Sequence, residues 1–346
     1  MGILSPEWDG RIGHWIRTLK EDFYKPLGKI EMEAFRTDKH LKYKELDKVE
    51  FVPAPSGFTW GNTWEYCWFR GDIVLPKEAE GKRIVLDLRP GGESTVFVNG
   101  QEFGTYRADW VAQAHHYLVD NAIAVNASSG SRYHIVMETY GGHDYPDCGS
   151  CATGPVLPGS YQGGKNEGSR RTLGECTYGI WHEEAYQLYM DVMTLWELLR
   201  DIDQDSLRAA KIAEALKQFA KDVDFEQDEE ARIADYCKAR EHLKEVLSKT
   251  NGPTMPLFWA VGNAHLDLAW MWPVAETKRK TERTFAAQLR LLEEYPDYYY
   301  IQSQPAAYEI CRMYYPDLFE KIKEAIKEGR WIADGAMWVE PDTNMA

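Results

Sequence analysis

A histidine and an aspartate two positions apart, His265 and Asp267, are the residues whose types and spacing most clearly suggest chemistry. They follow a short apolar run at residues 257–262. In an extended segment, residues i and i+2 project from the same face. An imidazole nitrogen and a carboxylate oxygen on one face can bind the same zinc ion. The pattern alone also fits an ordinary capping or hydrogen-bonding arrangement.

Two further carboxylates, Glu340 and Asp342, stand on either side of a proline near the end of the sequence. Asp342 can ligate the same metal ion, attack an electrophilic carbon, or cap a turn. Glu340 is two residues away and competes for each of these roles. The sequence pattern therefore offers one metal-binding pair and one candidate nucleophile.

The elements around these residues alternate between strand and helix. Residues 257–262 predict a strand buried on both faces, and residues 298–302 and 331–333 predict two more. The third strand is either alone or paired with residues 337–339. Helical periodicity fills the intervals, with Pro305 at a helix start and Gly329 at a helix end. A β-α-β-α-β order predicts parallel strands, whose carboxyl ends collect reacting groups.

The preceding part of the sequence predicts different architectures. Residues 51–140 contain short β-branched segments, with Asn99-Gly100 as the strongest hairpin signal, and predict an all-β sandwich. Period-3.6 patterns begin near Glu183, and residues 250–253 break them. We therefore divide the chain into a helical segment (1–45), a β-sandwich (46–185), a helical linker (186–253) and an α/β segment (254–346).

Composition limits the partners and the location. The 346 residues carry a net charge of −15, which disfavours nucleic acid and anionic membrane surfaces. The sequence shows neither a signal peptide nor an 18-residue apolar stretch. Six cysteines then indicate reduced thiols and a cytoplasmic location. Cys148 and Cys151 form a CxxC that lacks the second ligand pair of a zinc site.

Two segments resemble glycoside hydrolase family 38, the α-mannosidases, most closely those of the cytosolic and bacterial type. They are AVGNAHLDLAWMWPVAETKRKTERTFAAQLRLLEEYPDYYYIQSQP and EGRWIADGAMWVEPDTN, which carry the motifs HxDxxW and WVEPD. The helical stretch LYMDVMTLWELLRDID is similar to the segment before the family's catalytic domain. The phrase VFVNGQEFG resembles jelly-roll modules beside glycosidase domains.

The resemblance implies a role for each matching residue. His265 and Asp267 are expected to be metal ligands, and Trp270 is expected to stack on the sugar ring. Asp342 is expected to be both the catalytic nucleophile and a metal ligand. The implied ion is one divalent metal, Zn²⁺ first, with Co²⁺ or Ca²⁺ as alternatives. The implied substrate is a mannose-containing oligosaccharide, and a homo-oligomeric state is an open expectation.

The resemblance also implies a fold of which this chain holds only the first part. We expect a multidomain chain with a jelly-roll-like sandwich, a helical linker and the first β/α units of a seven-stranded α/β barrel. The family places a further histidine ligand and the acid/base carboxylate after the WVEPD motif. We therefore expect an N-terminal fragment of a longer enzyme, inactive by itself. The alternatives are another metal-dependent sugar hydrolase, such as a deacetylase, and a non-catalytic carbohydrate-binding protein.

Overall fold

The computed structural model describes residues 3–62, 65–106, 122–142, 171–269, 272–335 and 337–340. The chain forms two compact units. The first comprises residues 1–26 and 180–258, and the second comprises residues 27–179 and 259–346. The four-segment division made from the sequence remains a prediction.

The first unit is helical. Its core consists of one apolar stripe from each helix, and among the residues with no exposed surface are Ile12, Leu188, Leu216 and Tyr236. Serine or aspartate side chains cap three of the four helices by accepting from a backbone N–H of the first turn. The helices are α1 (Pro6–Leu19), α2 (Glu183–Asp201), α3 (Leu207–Asp222) and α4 (Glu229–Leu247).

The strands between residues 24 and 181 form two larger sheets and one short pair. The six-stranded sheet has the order β3-β2-β5-β10-β7-β8, the four-stranded sheet β1-β12-β6-β9, and β11 pairs with β4. The strands are β1 (Tyr24–Lys29), β2 (Glu33–Thr37), β3 (Val52–Pro53), β4 (Thr59–Trp60), β5 (Tyr66–Val74), β6 (Ile84–Asp87), β7 (Glu93–Val98), β8 (Gln101–Tyr106), β9 (Ala122–Ala124), β10 (Arg132–Tyr140), β11 (Arg171–Thr172) and β12 (Thr177–Trp181).

The hairpin between β7 and β8 confirms the turn predicted from Asn99-Gly100. Asn99 has φ +52° and Gly100 has φ +80°. A two-residue hairpin turn of the I′ type requires positive φ at both central positions, which asparagine and glycine tolerate best. The two strands are antiparallel, with Val98 opposite Gln101.

The rest of the second unit is a small parallel α/β layer. Strands β13 (Gly262–Asn263), β14 (Tyr300–Gln302) and β15 (Trp331–Ala333) form a sheet in that order, and both pairings are parallel as predicted. Helices α5 (Val274–Glu294), α6 (Pro305–Tyr314) and α7 (Pro316–Lys327) connect them. The core contains Phe285, Tyr300, Ile322 and Trp331. The expected seven-stranded barrel is a larger structure than these three strands, and it remains a proposal.

Helix α5 is buried on two sides. Its apolar residues join the core of the parallel layer, while a polar face packs against β7, β8 and β10. Arg279 donates to Glu138 on β10 at 2.8 Å, and Lys280 and Arg283 both bind Glu93 on β7. Hydrogen-bonded ion pairs of this kind fix orientation because each buried charge needs its partner.

The structure differs from the sequence-based expectations at residues 257–262 and before residue 46, and it excludes one of the two alternatives left open for residues 331–339. Residues 257–262 were expected to be a strand buried on both faces, yet Phe258 is 90% and Trp259 89% exposed, and only Gly262 belongs to a strand. Among the described residues, no strand lies beside residues 257–261 to pair with them. Residues 337–339 are bends rather than a strand, and Trp338 is exposed. Strands also occur before residue 46, namely β1 and β2.

The Gly-rich stretch at residues 141–174 lies mostly outside the described residues, and Cys148 and Cys151 lie there as well. The four described cysteines, Cys67, Cys176, Cys237 and Cys311, have free thiols. No helix in the described part of the chain is long and apolar enough to cross a membrane.

Candidate active site

The carboxyl ends of the three parallel strands lie at one edge of their sheet. Gly262 is opposite Tyr300, and Tyr300 is opposite Trp331, so the strands run side by side in register. In parallel α/β sheets this is the edge at which reacting groups collect. The segments that follow β13, β14 and β15 therefore meet there.

His265 has a carboxylate on each side of its ring. Its Nε2 lies 3.1 Å from Oδ1 of Asp267, and its Nδ1 lies 2.5 Å from Oε2 of Glu340. The other oxygen of Glu340 accepts a hydrogen bond from the hydroxyl of Ser303. The side chains of His265 and Asp267 are 52% and 42% exposed, so a ligand can reach both.

Two carboxylates around one imidazole favour its protonated form. The hydrogen bond to Glu340 is the main cause that raises the pKa of His265, and Asp267 acts in the same direction. A histidine must be neutral to bind a metal ion through its lone pair. Binding of a metal ion to this histidine would therefore require the loss of that proton.

His265, Asp267 and Glu340 fit part of the surroundings that a divalent metal ion requires. Nε2 of His265 faces Asp267, which places two ligand atoms side by side. Glu340 holds Nδ1, the position at which a carboxylate commonly orients a metal-bound histidine. The described residues contain no group of three or more His, Cys, Asp or Glu able to hold a metal. His265 and Asp267 thus place two potential ligand atoms side by side, fewer than a complete metal site needs.

The sequence-predicted residues divide into two groups. His265 and Asp267 come together as their spacing predicted. Trp270 and Asp342 lie outside the described residues, so their assigned roles stay predictions. Glu340, which the sequence left as a competitor of Asp342, contacts the histidine directly.

A cavity of about 370 Å³ adjoins this cluster. It is lined by Ser303, which also contacts Glu340, and by residues that include Tyr308, Asp334 and Trp338. Its volume lies within the range of about 300–1,000 Å³ that small-molecule sites occupy. The cluster is therefore next to a space that can accept a ligand.

Sequence reasoning missed the residues that support His265. They are Glu340 as its partner, Ser303 behind Glu340, and the buried Gln302 and Gln304. The sequence offered one signal for Gln302 and Gln304. They directly follow an apolar segment at residues 298–301, and polar residues are unusual in a protein core. Their contacts with the histidine segment depend on the fold and were not readable from spacing.

Together these features define a class of protein: a β-sheet domain and a helical unit accompany a parallel α/β layer that carries a histidine–carboxylate pair. Residues 256–346 match the model described as the glycosyl hydrolases family 38 N-terminal domain, and residues 26–141 match the alpha-mannosidase jelly roll domain. These matches confirm the resemblance inferred from the sequence, to the N-terminal part of family 38 α-mannosidases. They also confirm a jelly-roll domain in the N-terminal half.

Individual relatives agree with this assignment. Alpha-mannosidase G of Dictyostelium discoideum is 26% identical over 88% of this chain and 27% of that protein. Alpha-mannosidase 2C1 of Homo sapiens is 25% identical over 96% of this chain and 32% of that protein. The chain thus spans about three tenths of the length of these curated relatives.

A solved structure, Ruminococcus gnavus beta-glucuronidase, aligns with 45% of this chain and 29% of that chain, at 16% identity and a TM-score of 0.24.

Proposed function

We propose that the whole protein is a retaining α-mannosidase that hydrolyses terminal α-linked mannose in oligosaccharides. The observation that carries the proposal is the His265–Asp267 pair, with Glu340 on the other ring nitrogen, at the carboxyl edge of a parallel sheet. This edge lies within the segment that matches family 38. The relatives named above are alpha-mannosidases.

The proposed metal site consists of His265, Asp267 and Asp342. Bound Zn²⁺ would supply Lewis-acid and template chemistry toward the sugar hydroxyls. An imidazole ligand favours a transition metal such as zinc or cobalt over calcium. In this proposal Glu340 fixes the ring of His265 with Nε2 toward Asp267, the side on which these two residues would hold the ion.

The proposed reaction uses Asp342 as nucleophile. Its carboxylate attacks the anomeric carbon, the glycosidic C–O bond breaks, and the leaving oxygen takes a proton from a second carboxyl group. Water, deprotonated by the same second group, then cleaves the ester and releases Asp342. Trp270 stacks against the ring of the bound mannose. The family resemblance places the second carboxyl group after the WVEPD motif.

The central test combines metal analysis with hydrolysis of an aryl α-mannoside by the whole protein. His265→Ala and Asp267→Ala are expected to lose bound zinc and activity together. His134→Ala is the matched control, because His134 also binds an aspartate, Asp72, at 2.8 Å, but on the surface of β10. Stoichiometric zinc in the His265→Ala/Asp267→Ala double variant would contradict the proposed site.

A sugar deacetylase and a mannosidase predict different products. A deacetylase activates water on its metal and forms no bond between protein and sugar. A fluorinated mannosyl substrate that traps the intermediate should label the peptide containing Asp342 in a retaining mannosidase. Release of acetate without any labelled peptide would favour the deacetylase.

A polypeptide limited to residues 1–346 is proposed to lack mannosidase activity. Retaining hydrolysis requires two carboxyl groups, and general acid–base catalysis alone contributes about 10²–10⁴ in rate. In the resemblance the second group and one more histidine ligand come after residue 346. Assays of this polypeptide beside the whole protein test the point, and turnover at comparable rates would overturn it.

The proposal also includes a cytoplasmic location and a homo-oligomeric state. It further includes the absence of binding to nucleic acid and membranes. The net charge of −15 supports weak binding to anionic surfaces. Cell fractionation and analytical ultracentrifugation of the whole protein check location and assembly.

A further inference from the structure

Gln302, the last residue of β14, and the two residues that follow it, Ser303 and Gln304, contact the segment that carries His265 or its partner Glu340. The side-chain amide of Gln304 donates to the backbone oxygen of Leu266 at 2.8 Å, and that of Gln302 donates to the backbone oxygen of Ala264 at 3.4 Å. The two carbonyls lie immediately before and immediately after His265. The backbone at the histidine is therefore fixed on both sides.

The two glutamines are themselves locked in place. Gln302 and Gln304 are 0% and 1% exposed. The side-chain oxygen of Gln302 accepts from the backbone N–H of Gln304 at 3.1 Å, and its amide also donates to the Tyr300 hydroxyl. Buried rotamers with this many partners have little freedom, so the carbonyls of Ala264 and Leu266 meet donors at fixed positions.

The side-chain oxygen of Gln304 indicates that packing alone does not explain this residue. Among the described residues it is buried without a hydrogen-bond partner. An unsatisfied buried polar atom destabilises the folded state, and an apolar side chain of similar volume avoids that loss. What the glutamine supplies in return is the bond to Leu266, which an apolar residue cannot make.

Ser303 reaches the histidine by a second route. Successive residues of an extended segment point to opposite sides, and Ser303 accordingly contacts Glu340 while its neighbours contact the backbone. Glu340 in turn binds Nδ1 of His265. The backbone and the ring of the histidine are thus both held by residues 302–304.

We propose that Gln302, Ser303 and Gln304 are positioning residues that hold His265 so that Nε2 faces Asp267 and a bound metal ion. The proposal rests on the proposed function for the identity of the metal site. In this proposal the three residues act through His265 and Glu340. Outer partners of metal-bound histidines typically contribute about 10–100-fold to metal affinity.

The first experiment measures zinc affinity of the whole protein by competition with a chromogenic chelator. Gln302→Met and Gln304→Met preserve volume and remove the donor, and each should weaken zinc binding by about 10–100-fold. Ser303→Ala should do the same, and Ser303→Thr, which keeps the hydroxyl, should restore it. Gln288→Met is the matched control, because the hydrogen bond that Gln288 accepts comes from Tyr298 and not from residues 264–266, and this variant should bind zinc like the wild type.

The second experiment tests positioning without metal. Diethyl pyrocarbonate modifies accessible imidazoles, and mass spectrometry gives the rate at His265, with surface His134 as internal reference. In metal-free protein, His265 should react several-fold faster in the Gln302→Met, Gln304→Met and Ser303→Ala variants. The comparison is with the wild type and with Gln288→Met. Unchanged reactivity together with unchanged zinc affinity overturns the proposal. If wild-type protein binds no zinc while the reactivity pattern holds, positioning is upheld and the proposed metal site fails.

Discussion

At the scale of single residues, the proposed mechanism needs one nucleophile, and two neighbouring carboxylates, Glu340 and Asp342, are candidates for it. One carboxylate oxygen of Glu340 contacts Nδ1 of His265, and the other accepts from the hydroxyl of Ser303, so both oxygens already have partners. Asp342, two residues later, is the nucleophile that the resemblance assigns. A side chain committed to orienting a histidine is poorly placed to attack a sugar carbon. The geometry of Glu340 therefore favours a division of labour between the two.

This division predicts different effects for Asp342→Ala and Glu340→Ala in the whole protein. The first should abolish turnover by several orders of magnitude and leave no residue that a fluorinated mannosyl substrate can label. The second should weaken zinc affinity by about 10–100-fold and recover much of its activity at high zinc. Steady-state kinetics with added zinc separate the two. Labelled peptide from Asp342→Ala would show that another carboxylate is the nucleophile.

The residues that could be predicted from the sequence are those whose geometry is local. His265 and Asp267 are two apart, so an extended backbone alone places them on one face. Glu340 lies 75 positions from His265, and Gln304 lies 38 positions from Leu266. Which side chains meet over such separations depends on strand register and loop paths. No pattern along the chain encodes those contacts.

At the scale of elements, helix α5 shows the same limit. Its apolar residues at Phe285, Leu289 and Leu292 were predictable from their spacing. Its charged residues would ordinarily be assigned to solvent, yet Arg279 and Arg283 are 7% and 2% exposed. They are buried because Glu93 and Glu138 on the sandwich strands supply the opposite charges.

The Arg279–Glu138 pair predicts a strong asymmetry between single and double variants. Burial raises the pKa of Glu138 to about 7, although the charge of Arg279 opposes this rise. Arg279→Met should destabilise the chain by about 3–5 kcal/mol, because a buried carboxyl is left unpaired. Adding Glu138→Met should recover most of that loss. Urea unfolding of both singles and the double gives the coupling energy, and simple additivity would contradict the pairing.

Glu282, also on α5, predicts a pH-dependent stability. Burial raises its pKa from 4.5 to about 8, the charges of Glu138 and Glu102 add to the rise, and those of Arg279 and Arg283 oppose it. The folded state therefore binds this proton more tightly than the unfolded state. Its contribution to stability is largest below pH 4.5 and falls as pH increases toward 8.

Glu282→Gln should remove that dependence. Its unfolding free energy relative to the wild type should rise between pH 5 and 8, on the order of a few kcal/mol in total. Chemical denaturation at closely spaced pH values measures the difference. Exposed Glu293→Gln on the same helix is the matched control and should show almost no such trend. A constant offset for Glu282→Gln across this range would contradict the assignment.

At the scale of the whole molecule, the apolar segment at residues 257–261 links the fold to the proposal of a larger barrel. Leu257, Phe258 and Trp259 are 76%, 90% and 89% exposed. The sequence predicted a buried strand here, because an apolar run of this composition is usually buried. A strand needs hydrogen-bond partners along its length, and within the described residues only Gly262 and Asn263 have them, from β14. In the proposed barrel, further strands would cover this run.

Limited proteolysis tests that idea. In a polypeptide of residues 1–346, chymotrypsin should cut first after Leu257, Phe258 or Trp259, because their side chains are exposed and the segment forms no regular structure. A Leu257→Ser/Phe258→Ser/Trp259→Ser variant should lose these cuts and keep the others. In the whole protein, cleavage at the same bonds should be slower by more than about tenfold, since a buried strand is cut only after local opening. Equal cleavage rates in the two would contradict the barrel, and earlier cutting within β6 to β8 would contradict a stably folded sandwich.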